Sequence, residues 1–265
     1  MQTERNPVII IIGYAMTDIY LVSALLKQFP DLIIIRYRQH KTKNLRYYFG
    51  KLLSKGFFIS LGIKMVSVYL RAEIFIEKAL GKSVWTQFGL SKPVFPENAI
   101  IIDCKNLDEL CEISESNKHG TVIITQSLRL NDRFFKLNRN VLQIVGGRYP
   151  KYIGDTSVFW AKATATIADY CFTIIQRKKY FGNSVPLAYC PIDINDKDSI
   201  RSLRIRGILA SSHSLVKILN GTETLINYHE KHHESQIFST PTITDYLRVT
   251  VLRRHIKIPE YAKKH

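Results

Sequence analysis

The sequence predicts an α/β protein with a mostly parallel sheet and helices on both faces, and three observations carry that prediction. Short apolar runs alternate along the chain with stretches of helical periodicity. The runs are almost pure Ile and Val, which is how strands read when both of their faces are buried. The chain also opens on a βαβ pattern: VIIII at Val8–Ile12, then MTDIYLVSALLKQF, then LIII at Leu32–Ile35.

The elements follow in order. Val8–Ile12 is a strand. Met16 to Phe29 places apolar residues at three- and four-residue steps and stops before Pro30, so it is a helix. Leu32–Ile35 is the second strand. A basic, amphipathic insertion then runs from Leu45 to Leu80, and Gly50, Gly56 and Gly62 predict broken helices there rather than one rod. Further strands are AIII (Ala99–Ile102), TVIIT (Thr121–Thr125), VLQIV (Val141–Val145) and YCFTII (Tyr170–Ile175). Helical patterns stand at Asn106 to Asn117 and after Asp155, and a long one runs from Asp196 to a stop at Gly221. The division is an α/β domain over 1–221 and a polar, basic tail over 222–265 that packs on the same unit.

Bulk composition narrows the classes. The 265 residues are 46% hydrophobic and 23% charged, an ordinary globular balance. No apolar run is long enough to span a bilayer, and the N-terminus MQTERNPVIIIIG does not read as a signal peptide. Cys104, Cys111, Cys171 and Cys190 form no C-x-x-C pair, and three lie in or beside apolar runs. They read as buried free thiols in a reducing, cytoplasmic setting. The net charge of +16 is concentrated: eleven Lys/Arg against two acids from Arg36 to Lys82, and six against one from Arg248 to His265. Such a surface suits an anionic small molecule or phosphorylated substrate, nucleic acid or an acidic membrane surface, or serves only solubility.

Three short motifs were weighed. The first βα turn, Gly13 to Asp18 (GYAMTD), lacks the glycines of a dinucleotide site, so Gly13 reads as a plain turn residue. HEKHH at His229–His233 satisfies H-E-x-x-H, but its surroundings are polar and offer no third ligand, so no metal is expected. Basic–aromatic mixing at RYRQH and LRYYFGK fits an amphipathic face that packs its rings inward.

The stretch from Gln143 to Ala161, QIVGGRYPKYIGDTSVFWA, is more specific. It resembles the folate-dependent formyltransferases, in which a strand N-x-H leads to a P-x-Y-R-G loop and a W-A pair opens the next helix. Pro150, Lys151, Tyr152, Gly154, Trp160 and Ala161 stand in register. The likeness continues through CFTII, through DINDKDSIRSLRIRGI and into STPTITDY, and GTVIITQSLRLND is similar to the strand and loop that line the family's pterin pocket. The resemblance implies a formyltransferase-like, Rossmann-like fold and 10-formyltetrahydrofolate as formyl donor. It also implies folate contacts at Ser127, Leu128, Arg129, Leu130 and Asn131.

The family's reacting groups are replaced. Its strand Asn falls on Gln143, its His on Val145, the Asp of its D-T-G turn on Gly182, and the loop Arg on Ile153. Losing a general acid–base typically costs about 10²–10⁴ in rate, and losing an oxyanion donor about 10²–10³. Arg148 and Asp155 are the candidate replacements, with the phenols of Tyr149 and Tyr152 beside them, although a surface base and a helix N-cap also account for Arg148 and Asp155. Three functions are open at this stage. The first is a formyltransferase-like protein without formyl transfer. The second is an active N-formyltransferase with rewired catalysis, acting on a nucleotide-linked amino sugar or an aminoacyl-tRNA. The third is a basic nucleic-acid or membrane-surface module.

Overall fold

A computed structural model describes residues 7–13, 15–37, 56–80, 83–91, 93–97, 99–117, 120–125, 128, 130–153, 156–196, 198–222 and 236–264. Its strands are β1 (Val8–Ile12), β2 (Ile33–Tyr37), β3 (Ile101–Cys104), β4 (Thr121–Ile124), β5 (Asn140–Gly146), β6 (Tyr152–Ile153), β7 (Cys171–Gln176), β8 (Val185–Pro191), β9 (Gln236–Phe238) and β10 (Lys263–Lys264). Its helices are α1 (Met16–Leu26), α2 (Phe57–Ala79), α3 (Leu107–Ser116), α4 (Asp132–Leu137), α5 (Ser157–Ala163), α6 (Ile200–Leu219) and α7 (Ile243–Thr250).

The described residues build a seven-stranded sheet ordered β3-β2-β1-β4-β5-β7-β8. The first five of these strands are parallel, and β7 then runs antiparallel to β5 and β8 antiparallel to β7. The mostly parallel sheet expected from the sequence is thus present. The isoleucines of β1 show why its strands read as unbroken apolar runs. Ile10 and Ile12 pack into a cluster with Leu21 and Leu25 of α1 and Leu203 and Leu215 of α6. Ile9 and Ile11 point the other way, toward Leu110 and Cys111 of α3 and Phe134 of α4. Both faces are covered, so no polar alternation survives.

Three expectations need correction. The glycines of the insertion do not break it over its described part: α2 is a single helix of 23 residues that passes through Gly62. Gly62 is instead a contact point, since a Cβ there would lie 3.0 Å from Cβ of Thr242 at the head of α7. Strand β8 was missed because VPLAYCP carries a proline at each end, a pattern allowed on the sheet edge that β8 occupies. The helix expected from Asp196 begins at Ile200, where Ser199 and Ser202 form a capping box. Its stop at Gly221 is as expected, with φ of 69°.

The chain beyond Gly221 shares the same core. Phe238, Tyr246, Val249 and Ala262 lie in the cluster that holds Ile10 and Leu142. The indole N–H of Trp160 and the hydroxyl of Thr156 both donate to the Ser239 carbonyl, at 2.8 and 3.1 Å. The four cysteines are buried and free. Burial pushes the Cys104 thiol up to about 11 and the Cys171 thiol up to about 12, so both stay protonated at neutral pH.

Candidate functional site

Strand β5 ends in a turn that its neighbours hold tightly. Gly147 has φ of 83°, and a Cβ on it would sit 2.7 Å from Cβ of Tyr152 and 2.8 Å from Oγ of Ser157, so the position takes only glycine. The Gly147 amide donates to the Cys171 carbonyl at 2.9 Å. The Ser157 hydroxyl, at the start of α5, donates to the Gly146 carbonyl. The Tyr149–Pro150 peptide that follows is cis.

The cross-strand register then sets one row of side chains. Val145 pairs with Thr173 on β7, and Thr173 pairs with Tyr189 on β8. Both polar members of that row bind the turn. The Thr173 hydroxyl donates to the Gly147 carbonyl at 2.7 Å and accepts from the Tyr149 amide at 3.1 Å. The Tyr189 hydroxyl donates to the Tyr149 carbonyl at 3.0 Å. The Tyr149 ring, only 1% exposed, is seated against Val145 and Ile175. Its hydroxyl donates to the Phe181 carbonyl at 2.6 Å, and the Phe181 ring meets it edge-on at 5.6 Å.

The expected site residues can now be placed. Val145 is on β5 in this apolar cluster. Gln143, two residues earlier and 4% exposed, pairs with Ile124 on β4 and Ile175 on β7. Gly182 is exposed and adjoins Phe181 in a short 3-10 turn, so the structure brings it to the Tyr149 side of the cluster. Arg148 is half-buried, with its guanidinium 5.1 Å from the Tyr189 ring centre. Tyr152 does not join the site: its ring stacks on Phe238 in the main core at 5.1 Å. Asp155 and Gly154 lie outside the described residues. The described N-cap of α5 is Thr156 rather than Asp155.

Of the expected folate contacts, Ser127 and Arg129 are outside the described residues. Leu128 belongs to the second core cluster and Leu130 packs against it. The Asn131 carboxamide accepts from the Phe134 amide at 2.9 Å and caps α4. His229–His233 are outside the described residues. Among those described, no group of three or more His, Cys, Asp or Glu stands close enough to hold a metal, and no helix is long and apolar enough to cross a membrane.

Two features were not read from the sequence. Asp18 closes the first βα turn: 5% exposed, it accepts from the Gly13 amide at 2.9 Å, and burial pushes its carboxyl above the usual carboxylate range against the pull of that hydrogen bond. Arg177, at the far end of β7, lays its guanidinium 4.4 Å from the centre of Phe181, and burial lowers its pKa.

No protein-family model matches the chain, and no curated protein matches it by sequence. Solved structures do. The sugar 3-N-formyltransferase WlaRD, determined in the presence of dTDP and 5-N-formyl-THF, is 11% identical over 98% of this chain and 85% of that one, with a TM-score of 0.53. The phosphoribosylglycinamide formyltransferase of Anaplasma phagocytophilum is 11% identical over 84% of this chain and 92% of that one, with a TM-score of 0.50. The chain has the formyltransferase fold. At these identities the likeness concerns architecture, and it agrees with the resemblance carried by the residues from Gln143 to Ala161. Within the formyltransferase fold, the end of β5 is where a strand Asn and His would act. Here that place holds an amide, an isopropyl group and a buried tyrosine whose donors are engaged.

Proposed function

We propose that this chain is a formyltransferase-family protein that does not transfer formyl groups by the family's chemistry and instead serves as a non-catalytic binding protein. One observation carries the reading: Tyr149 is buried against Val145 and Ile175, with its hydroxyl given to Phe181. A formyl-transfer site needs a group that shuttles a proton and a donor aimed at the developing oxyanion. Val145 and Gly182 can do neither. Gln143 retains an amide, one methylene longer than Asn, and a misplacement of about 1 Å costs on the order of a hundredfold. Thr173, Tyr149 and Tyr189, which carry hydroxyls nearby, spend them on the turn and on the Phe181 carbonyl. The residues present therefore do not fit formyl transfer from 10-formyltetrahydrofolate, and no catalytic step is derived through that molecule. The concentrated positive charge and the dTDP present with WlaRD support an anionic small molecule as the bound partner.

The test is product formation. The protein is incubated with 10-formyltetrahydrofolate and a panel of nucleotide-linked amino sugars, and N-formyl product is followed by mass spectrometry. The expected result is no product above the protein-free rate. Protein-dependent product that disappears in Gln143→Ala or Arg148→Ala would overturn the proposal in favour of rewired catalysis.

A further inference from the structure

Helix α2 carries two different apolar faces. One is satisfied: Gly62 meets Thr242, Tyr69 packs on Tyr246 with ring centres 5.4 Å apart, and the Tyr246 hydroxyl donates to Glu73 at 3.3 Å, all against α7. The other faces out. Phe58, Leu61, Met65, Val68, Ala72 and Phe75 follow one another at steps of three, four, three, four and three, the a/d spacing of a coiled-coil seam. Their exposure is 84% for Phe58, 43% for Leu61, 47% for Met65, 64% for Val68 and 74% for Phe75, and Ala72 is exposed as well. Scattered exposed hydrophobics need no explanation, but a continuous stripe of this kind marks an interaction site.

The stripe has a charged border on one side only. Lys64 and Arg71, seven residues apart and both exposed, lie at equivalent heptad positions beside the seam. The opposite border is the flank that α7 occupies.

We propose that this seam docks an amphipathic helix of another protein, with apolar residues at three- and four-residue steps and acidic side chains at seven-residue intervals opposite Lys64 and Arg71. The proposal is independent of the state of the β5 site. A second copy of the chain fits less well. Antiparallel pairing of two seams sets the Lys64/Arg71 rows against each other, and parallel pairing drives them toward the flank filled by α7. A lipid surface also fits less well. Interfacial helices present a broad apolar face bordered by cations, whereas an a/d-only stripe is the narrower geometry of a helix seam.

The test uses the full chain and two synthetic helical peptides. Both carry leucine at the seam positions. One has glutamate at the flanking positions and the other lysine there. The glutamate peptide is expected to bind about tenfold tighter by fluorescence anisotropy at low salt, with the gap narrowing as salt is added. The double variant Lys64→Glu/Arg71→Glu is expected to invert that preference. Val68→Asp should abolish binding while leaving Tm unchanged, because Val68 is exposed. Equal affinity for both peptides, or a preference that the double variant does not invert, overturns the proposal. So does co-sedimentation with phosphatidylserine vesicles without peptide binding. A stable dimer in analytical ultracentrifugation that Val68→Asp dissociates would assign the seam to self-association instead.

Discussion

Tyr149 joins three separate parts of the sheet through its amide, carbonyl and hydroxyl, which bind Thr173, Tyr189 and Phe181 in turn. Removing only the phenol oxygen tests one of those links. Tyr149→Phe leaves the packing on Val145 and Ile175 and strips the Phe181 carbonyl of that donor, which should cost about 1 kcal/mol in urea denaturation. An unchanged midpoint would mean that the hydroxyl binds water as readily as Phe181. Asp18 makes a prediction in pH. Folding raises its carboxyl pKa, so its contribution to stability is fully present below the unfolded value of about 3.9 and is lost as pH rises through the higher folded value. Asp18→Asn keeps an acceptor for the Gly13 amide and has no proton to lose. Its stability relative to the wild type should therefore rise between about pH 3.5 and about pH 7. A difference that stays constant across that range would show that Asp18 does not titrate within it.

At the level of elements, α6 lies closely on β7 through Gly207, where an added Cβ would come within 2.0 Å of the Phe172 ring. Gly207→Ala should destabilise by about 1–3 kcal/mol, despite a helix-propensity gain of about 1 kcal/mol for alanine over glycine. A rise in Tm would mean that Phe172 swings aside freely. The same scale shows what was legible in the sequence. Strands β1, β2, β4, β5 and β7 declared themselves as Ile/Val runs because both their faces are buried, and α3 did so through its Asn106 cap and periodicity. Strand β8 was hidden by its prolines. The continuity of α2 was hidden because glycine as a breaker and glycine as a packing contact look alike until Thr242 is in view. The positions of Gln143, Val145 and Gly182 came from motif register. That Tyr149 would fill the space beside Val145 did not, since its contacts reach 24 and 32 residues along the chain and no local pattern records them.

For the whole molecule, the chain after Gly221 is part of the fold. Phe238, Tyr246 and Val249 are each under 5% exposed within the main cluster. Burying side chains of this kind is worth about 1.5–3 kcal/mol each, against a net stability of about 5–15 kcal/mol for a typical domain. A chain ending at Gly221 should therefore lose cooperative unfolding and bind a hydrophobic dye at room temperature. A truncated protein with a sharp thermal transition would make the tail a separate layer. The uneven charge also belongs to this scale, because the net +16 gives the surface a long-range pull on anions whichever ligand the protein holds.

The central claim is that the end of β5 is a closed, self-satisfied turn where the formyltransferase fold would otherwise place an open reaction site. Hydrogen exchange of the Gly147 and Tyr149 amides tests it most directly, since these donate to the Cys171 carbonyl and the Thr173 hydroxyl. The account predicts protection equal to that of the central β5 amides, with exchange only through global unfolding and no change on adding 5-formyltetrahydrofolate. Exchange through a local opening orders of magnitude faster than that of β5, or protection that appears only with the folate present, would contradict it.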